Sequence, residues 1–352
     1  MSGNGNTELK IIDTMSRNIG KPTSINELTK EIKRLYGSAY YANTYNSLQE
    51  LWKERFLTIE KFGNSSIASF DFTNYLTPDL LTEMELKKKR EFLANRPELQ
   101  PLFESIEDEF RNSALIKSIT LINPERNIKL NKADLLIILD GQHSIESKLH
   151  EKLRSIQKRQ YLKINPLFLR TSELLDFLKS KERNPLKEML YDKLTFYLPQ
   201  DFWAQIRNAY IHGFQISFEK DETNPARMSE SDLMHNLARF GYKEIGPEMR
   251  QGQQEICIEY IITSILLKDD ARRIDAIPII LAKNKANYEL LGFLSRKYGL
   301  SERLLGLLIA LNQIKPSNDV ERAIGGMQES GIKEIKISEK SIRDKMLLYN
   351  AI

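Results

Sequence analysis

The sequence predicts an α+β protein built from several domains. At 352 residues, the chain is long enough for two or three domains of ordinary size. Helical periodicity dominates both ends of the chain, whereas short apolar runs at 115–122, 135–139 and 161–169 are typical of buried strands. The hydrophobic fraction of 41% is ample for packed cores, so extensive disorder is not expected.

Composition excludes several classes of protein. A single cysteine, Cys257, excludes an internal disulfide and a multi-cysteine zinc module, and its apolar surroundings predict a core position. The four histidines have no metal-site spacing, so we expect neither a metal nor another cofactor. The polar N-terminus lacks a signal-peptide pattern and no apolar run reaches membrane-spanning length, which predicts a cytoplasmic protein without membrane contact. A net charge of +4 is too small to indicate a nucleic-acid partner by itself.

The first 75 residues predict three helices followed by a β-hairpin. Apolar side chains recur at helical spacing over residues 7–20. Ser24 and Glu27 have the spacing of a capping box at the start of the second helix, and Gly37 is a suitable end. The third helix is predicted over 39–54, and the hairpin strands are predicted over 56–61 and 67–72.

Two stretches carry a resemblance to a known family. Tyr45-Asn46-Ser47-Leu48-Gln49-Glu50-Leu51 and the hairpin turn Phe62-Gly63-Asn64-Ser65-Ser66 resemble the winged helix-turn-helix domains of archaeal and bacterial regulators. The resemblance implies that the third helix enters the major groove of double-stranded DNA while the hairpin contacts the backbone or minor groove.

Helical geometry then predicts which side of the third helix faces outward. With Leu48 at the centre of the core side, the residues expected to be buried are Tyr41, Thr44, Tyr45, Leu51 and Trp52. Asparagine and glutamine on the opposite side can pair with base edges, and lysine can reach phosphates. The predicted DNA-binding residues are Tyr40, Ala42, Asn43, Asn46, Gln49, Lys53, Lys61, Asn64, Ser65 and Ser66. A polar face of this kind is also normal for an exposed helix, and winged helices also serve as protein–protein modules.

A second resemblance covers about residues 105–205. The segment Asn131-Lys132-Ala133-Asp134-Leu135-Leu136-Ile137-Ile138-Leu139 is similar to the second motif of the minimal nucleotidyltransferases, which have a DNA-polymerase-β-like fold. In that family a Gly-Ser turn precedes a strand that opens with Asp-x-Asp, and the two aspartates hold magnesium. Here Asp134 matches the second aspartate, but Lys132 stands in place of the first and the Gly-Ser turn is missing. We therefore expect a catalytically inactive domain with Asp134 as a vestigial metal ligand, and favour a surface carboxylate at a strand start as its structural role.

The remaining segments are predicted to be mainly helical. The charge run Lys87–Arg90 lies in a helical connector and is expected to form a solvated helix face. The expected order is a winged helix (7–75), a connector (76–113), a degenerate nucleotidyltransferase-like α/β domain (114–212) and an all-helical C-terminal domain (228–352).

The leading functional hypothesis is sequence-specific binding of double-stranded DNA by a homodimeric transcriptional regulator. Two alternatives stay open at this point. One is a divergent nucleotidyltransferase of toxin–antitoxin type acting on RNA or protein, and the other is a protein–protein interaction scaffold.

Overall fold

The computed structural model describes residues 4–63, 65–129, 131–141, 146–160, 162–220, 223–243 and 253–352. Over these residues the chain is a mixed α/β structure with two small sheets and many helices. The helix-rich ends and the strand-containing middle agree with the class that the sequence predicts.

Three helices and a small antiparallel sheet form the N-terminal part. The short strand β1 pairs with β3, and β3 pairs with β2, so the strand order is β1-β3-β2. The elements are α1 (Asn4–Ser16), β1 (Thr23–Ser24), α2 (Ile25–Tyr36), α3 (Tyr41–Lys53), β2 (Leu57–Phe62) and β3 (Ser65–Phe70). The predicted order of three helices and a hairpin is therefore confirmed, while the winged-helix assignment itself stays a prediction.

The ends of α2 follow directly from its sequence. The Ser24 hydroxyl accepts a hydrogen bond from the backbone N–H of Glu27, and the Glu27 carboxylate accepts one from the backbone N–H of Ser24. Both donors belong to the first turn, where the helix offers them no partner. At the other end, Gly37 takes a left-handed conformation with φ of 80°. The predicted capping box and terminating glycine are both confirmed.

Two helices, α4 (Thr77–Asn95) and α5 (Gln100–Phe110), connect the N-terminal part to the second sheet. The expectation that Lys87–Arg90 forms a solvated face is wrong for two of its members. Lys88 forms an ion pair with Asp13 of α1, with Nζ 2.8 Å from Oδ1, and Lys89 pairs with Glu107 of α5. Because α4 is packed between other elements, its cations lie beside their carboxylates instead of facing water.

The second sheet has four strands in the order β6-β5-β4-β7. Strands β5 and β6 are parallel, with helix α7 between them along the chain, and the other two pairings are antiparallel. The strands are β4 (Ile116–Ile122), β5 (Lys132–Leu139), β6 (Lys163–Arg170) and β7 (Lys193–Tyr197). The associated helices are α6 (Pro124–Lys129), α7 (Glu146–Gln160), α8 (Thr171–Lys179), α9 (Pro185–Met189) and α10 (Pro199–Ile211).

Both faces of this sheet are covered, which explains its apolar runs. Leu136 and Ile138 of β5 point into the larger of two hydrophobic clusters, whereas Leu135 and Ile137 point into the other, which also contains α5 and α7 residues. A strand that is buried on both sides needs apolar residues at successive positions, not at alternate ones. The predicted strands near 115–122, 135–139 and 161–169 are confirmed.

The described part of the chain beyond residue 228 is helical. Its helices are α11 (Glu230–Arg239), α12 (Ile258–Lys268), α13 (Ala271–Ile274), α14 (Ala276–Lys283), α15 (Tyr288–Tyr298), α16 (Ser301–Ile314), α17 (Asn318–Glu329) and α18 (Glu339–Leu348). Helix α15 packs against β6, and Cys257, at the start of α12, is buried as predicted. The larger hydrophobic cluster extends without interruption from α1, through one face of the second sheet, to these helices.

Candidate functional site

The buried side of α3 differs from the side that its sequence predicts. Thr44, Leu48 and Leu51 are buried as expected, and Ser47 is buried as well. Tyr41, Tyr45 and Trp52 instead expose 50%, 40% and 48% of their surface. Their predicted core position is therefore wrong. Helix α3 packs closely on α1, and the small side chains of Thr44 and Ser47 permit that approach whereas two tyrosines would not. The aromatic residues form one flank of the exposed face.

The predicted DNA-binding residues of α3 are accessible. Tyr40, Ala42, Asn43, Asn46 and Lys53 are exposed, and Gln49 is half-buried. A helix advances about 100° per residue, which places Ala42, Asn46, Gln49 and Lys53 in one stripe opposite the buried side. The stripe offers amide donors and acceptors, and it lies beside Tyr45.

The charge around this stripe is nearly balanced. Lys53 Nζ lies 2.8 Å from Glu50 Oε1, so its charge is partly offset. Glu8 of α1 lies near Glu54 and Glu50 at the end of α3, and its pKa is raised by burial and by these two carboxylates. The net charge around this stripe is therefore small, as is the net charge of the whole chain.

The hairpin places its predicted residues at its tip. Lys61 pairs with Ser66 and Phe62 with Ser65 in the antiparallel register. Lys61 and Ser65 are exposed, Ser66 is half-buried, and Asn64 lies outside the described residues. Sequence reasoning missed Phe62, which exposes 78% of its surface beside the turn. An exposed phenylalanine within a polar turn is itself a signal that could have been used.

Asp134 is not the surface carboxylate that the sequence favours. Only 3% of it is exposed, and its Oδ1 accepts a hydrogen bond of 3.1 Å from Nδ2 of Asn165. Asn165 is its partner in the parallel ladder. Nε of Arg296 donates to Oδ1 of Asn165 at 2.8 Å, and Nη2 of Arg296 donates to the Pro166 carbonyl at 2.7 Å. Asp134 is buried where α15 packs on the neighbouring strand β6 and α6 packs on β5, and the contact with α15 is one that the local sequence does not encode.

A cavity of about 130 Å³ lies next to this network. Its charged lining residues are Arg126, Lys132, Asp134, Lys163, Arg296 and Lys297. Five cations thus surround one carboxylate, and amides and Tyr298 complete the wall. Among the described residues, no group of three histidine, cysteine, aspartate or glutamate side chains could hold a metal ion. Positive charge of this density attracts an anion.

The cysteine and two of the histidines have structural surroundings and not those of catalytic groups. Burial raises the pKa of the Cys257 thiol well above its usual value, which disfavours the nucleophilic thiolate. His150 lies edge-on to Phe168 with ring centroids 4.7 Å apart, and His212 lies within hydrogen-bond distance of the Asn208 carbonyl. His150 therefore has a packing role and His212 a surface role.

Comparison with known proteins gave no match to a family model, a curated protein or a solved structure. Among the helices in the described ranges, none has the length and apolar character needed to cross a bilayer.

Proposed function

We propose that the protein binds double-stranded DNA in a sequence-specific manner and acts as a transcriptional regulator. The observation that carries the proposal is the exposed stripe Ala42, Asn46, Gln49 and Lys53 on α3, with the β2–β3 hairpin following directly along the chain and β2 packed on α3. In a winged helix-turn-helix protein, these two features contact the major groove and the backbone.

The chemistry of the stripe suits base edges. The side-chain amides of Asn46 and Gln49 each offer a donor and an acceptor, which match the N6 and N7 positions of adenine. Ala42 lets the helix approach the groove closely, and Asn43 lies at the edge of the stripe. Lys53, Lys61, Ser65 and Ser66 supply the cations and hydroxyls that contact phosphates. Because the local charge is small, we expect affinity to come mainly from base contacts.

The wider proposal is a two-fold symmetric regulator without nucleotidyl transfer. A dimer would place two copies of α3 on the half-sites of a palindromic operator. The second sheet would serve as a scaffold, since the described lining of the cavity beside Asp134 consists of cations, amides and a tyrosine and includes no second carboxylate.

Direct binding to DNA tests this proposal. A duplex site is first selected from a random pool and then titrated by fluorescence anisotropy at several salt concentrations. Asn46→Ala and Gln49→Ala are each expected to weaken binding by about 1–3 kcal/mol, because a base contact is lost. Lys53→Ala is expected to reduce the salt slope by about 1.

Gln328→Ala is the matched control, because Gln328 is exposed on α17, outside the proposed interface. It is expected to bind the selected site as the wild-type chain does. Absence of duplex binding at low salt, or equal affinity for all four variants, contradicts the proposal.

The exposed aromatic flank favours a second candidate, a protein contact through α3. Tyr41 and Tyr45 stack with ring centroids 6.2 Å apart, and Trp52 lies on the same flank. Exposed aromatic groups of this kind are typical of protein interfaces. Sedimentation of the wild-type chain and of Tyr41→Ser/Trp52→Ser separates the candidates: self-association lost in the double variant, without DNA binding by the wild type, supports the protein contact.

A further inference from the structure

The positive cavity beside Asp134 has features that the proposed DNA contact does not explain. It is formed where the beginning of β5 and β6 meets the last turn of α15. Strand alternation places Lys132 and Asp134 of β5 on one face, together with Lys163 and Asn165 of β6. All four line the cavity.

Two lysines lie directly opposite each other in this wall. Lys132 and Lys163 are partners in the parallel register, and neither has a carboxylate within ion-pair distance among the residues that the structure describes. Like charges at opposed positions of neighbouring strands destabilise a sheet. An anion between the two ammonium groups would remove this repulsion.

Hydrogen bonds to β6 fix the side chain of Arg296. Its Nε and Nη2 are bound to Asn165 and to the Pro166 carbonyl, and Gly292 leaves room for it, since a Cβ at that glycine would lie 3.3 Å from Nη1. Burial lowers the pKa of Arg296, and Glu289 and Asp134 act in the opposite direction. A guanidinium that is fixed and already partly desolvated binds an oxyanion at a lower entropic cost than a mobile one.

The charge balance selects an anion over a metal ion. Asp134 is the one carboxylate among the charged lining residues, and Asn165 already donates a hydrogen bond to it. The last turn of α15 brings the negative end of its dipole to the cavity, but Arg296 and Lys297 of that turn offset it. Lys132 and Lys163, with Arg296 beside them, therefore give this wall an excess of positive charge that a ligand with several negative charges would neutralise.

We propose that this cavity is a binding site for a small phosphate-bearing anion. Lysine and arginine together are the usual ligands of phosphate oxygens. The site joins β5 and β6 to α15, so an occupied site links the sheet to the C-terminal helices. Its ligand therefore stabilises the folded chain by an amount that rises with the logarithm of the ligand concentration once that concentration exceeds Kd. The proposal does not depend on DNA binding, because none of its residues belongs to α3 or the hairpin.

Titration with inorganic phosphate and pyrophosphate tests the site in the full-length chain. Binding is measured by calorimetry and by the shift in melting temperature, with sodium chloride at matched ionic strength as the reference. Saturable binding of pyrophosphate is expected for the wild type. Lys132→Gln/Lys163→Gln is expected to weaken it by at least about ten-fold, or 1.4 kcal/mol.

The matched control is Lys333→Gln/Lys340→Gln, which removes the same charge from exposed positions in the C-terminal part. It is expected to bind pyrophosphate as the wild type does. Absence of saturable binding by the wild type, or equal losses in the two double variants, overturns the proposal.

Asp134→Asn provides a test that does not depend on removing a lysine. The substitution removes the one negative charge of the lining and keeps an oxygen that can accept from Asn165. Tighter pyrophosphate binding is the expected result. Weaker pyrophosphate binding, or magnesium binding by the wild type that this variant loses, overturns the anion site.

Discussion

At the scale of single residues, surroundings decide which side chains carry charge. His150 is an ordinary histidine in the sequence, yet it packs against the ring of Phe168. Burial, with Arg296 and Arg154 nearby, lowers its pKa to about 3. The ring is therefore neutral in the folded protein over the whole range in which an unfolded histidine becomes charged.

This difference predicts a pH dependence of stability. Between about pH 6.5 and 3 the unfolded chain binds a proton at His150 that the folded chain does not, so the free energy of unfolding falls as pH falls. From pH 7 to pH 5 the loss is about 2 kcal/mol. Urea unfolding at both pH values measures it. His150→Gln is expected to remove this loss of stability, whereas His212→Gln, at an exposed position, is expected to keep it. If the free energy of unfolding depends on pH equally in the wild type and both variants, His150 is protonated in the folded protein.

At the scale of elements, helix ends depend on one or two side chains. Gly37 ends α2 with a positive φ that residues with a Cβ rarely adopt. Gly325 lies inside α17 with open space around it. The same chemical change therefore has opposite consequences at these two glycines.

Alanine substitutions test this contrast. Gly37→Ala is expected to lower the free energy of unfolding by about 1 kcal/mol, because the left-handed conformation becomes strained. Gly325→Ala is expected to raise it by about 0.5–1 kcal/mol, because alanine is the better helix former. Urea unfolding of the two variants measures both effects, and a change of the same sign in both would contradict the assignment of Gly37 to the helix end.

Local sequence predicts some elements of this structure and not others. The capping box of α2 and the apolar strand β5 follow from residues within a few positions of each other. The orientation of α3 does not, because its packing on α1 buries Ser47 and leaves the aromatic side chains of this helix exposed. The cavity cannot be predicted from local sequence at all. Arg296 and Asn165 are 131 positions apart in the chain, and no spacing rule connects them.

At the scale of the whole molecule, buried charges connect the N-terminal part to the second sheet. Asp13 of α1 is 3% exposed and binds Arg17, Lys88 of α4, and the hydroxyl of Tyr36 at the end of α2. Burial acts to raise the pKa of Asp13, but Lys88 and Arg17 hold it well below its usual range. Lys88 also donates to the backbone carbonyl of Lys193 in β7, so one carboxylate links α1, α2 and α4 to the sheet.

Removing the charge of Asp13 tests whether this link holds the two parts together. Asp13→Asn leaves Lys88 partly buried without its carboxylate, while Arg17 keeps its ion pair with Asp192. The loss at Lys88 is expected to cost about 3 kcal/mol. Asp344→Asn, at an exposed position of α18, is expected to change stability by less than about 0.5 kcal/mol. Urea unfolding measures both, and hydrogen exchange locates the effect: amides of α1 and α4 should exchange faster in Asp13→Asn, while those of α15 and α16 should not.

Because α3 packs on α1, faster exchange at α1 together with weaker DNA binding would show that the proposed interface depends on its attachment to the sheet. Equal stability of the two variants would show that this link contributes nothing.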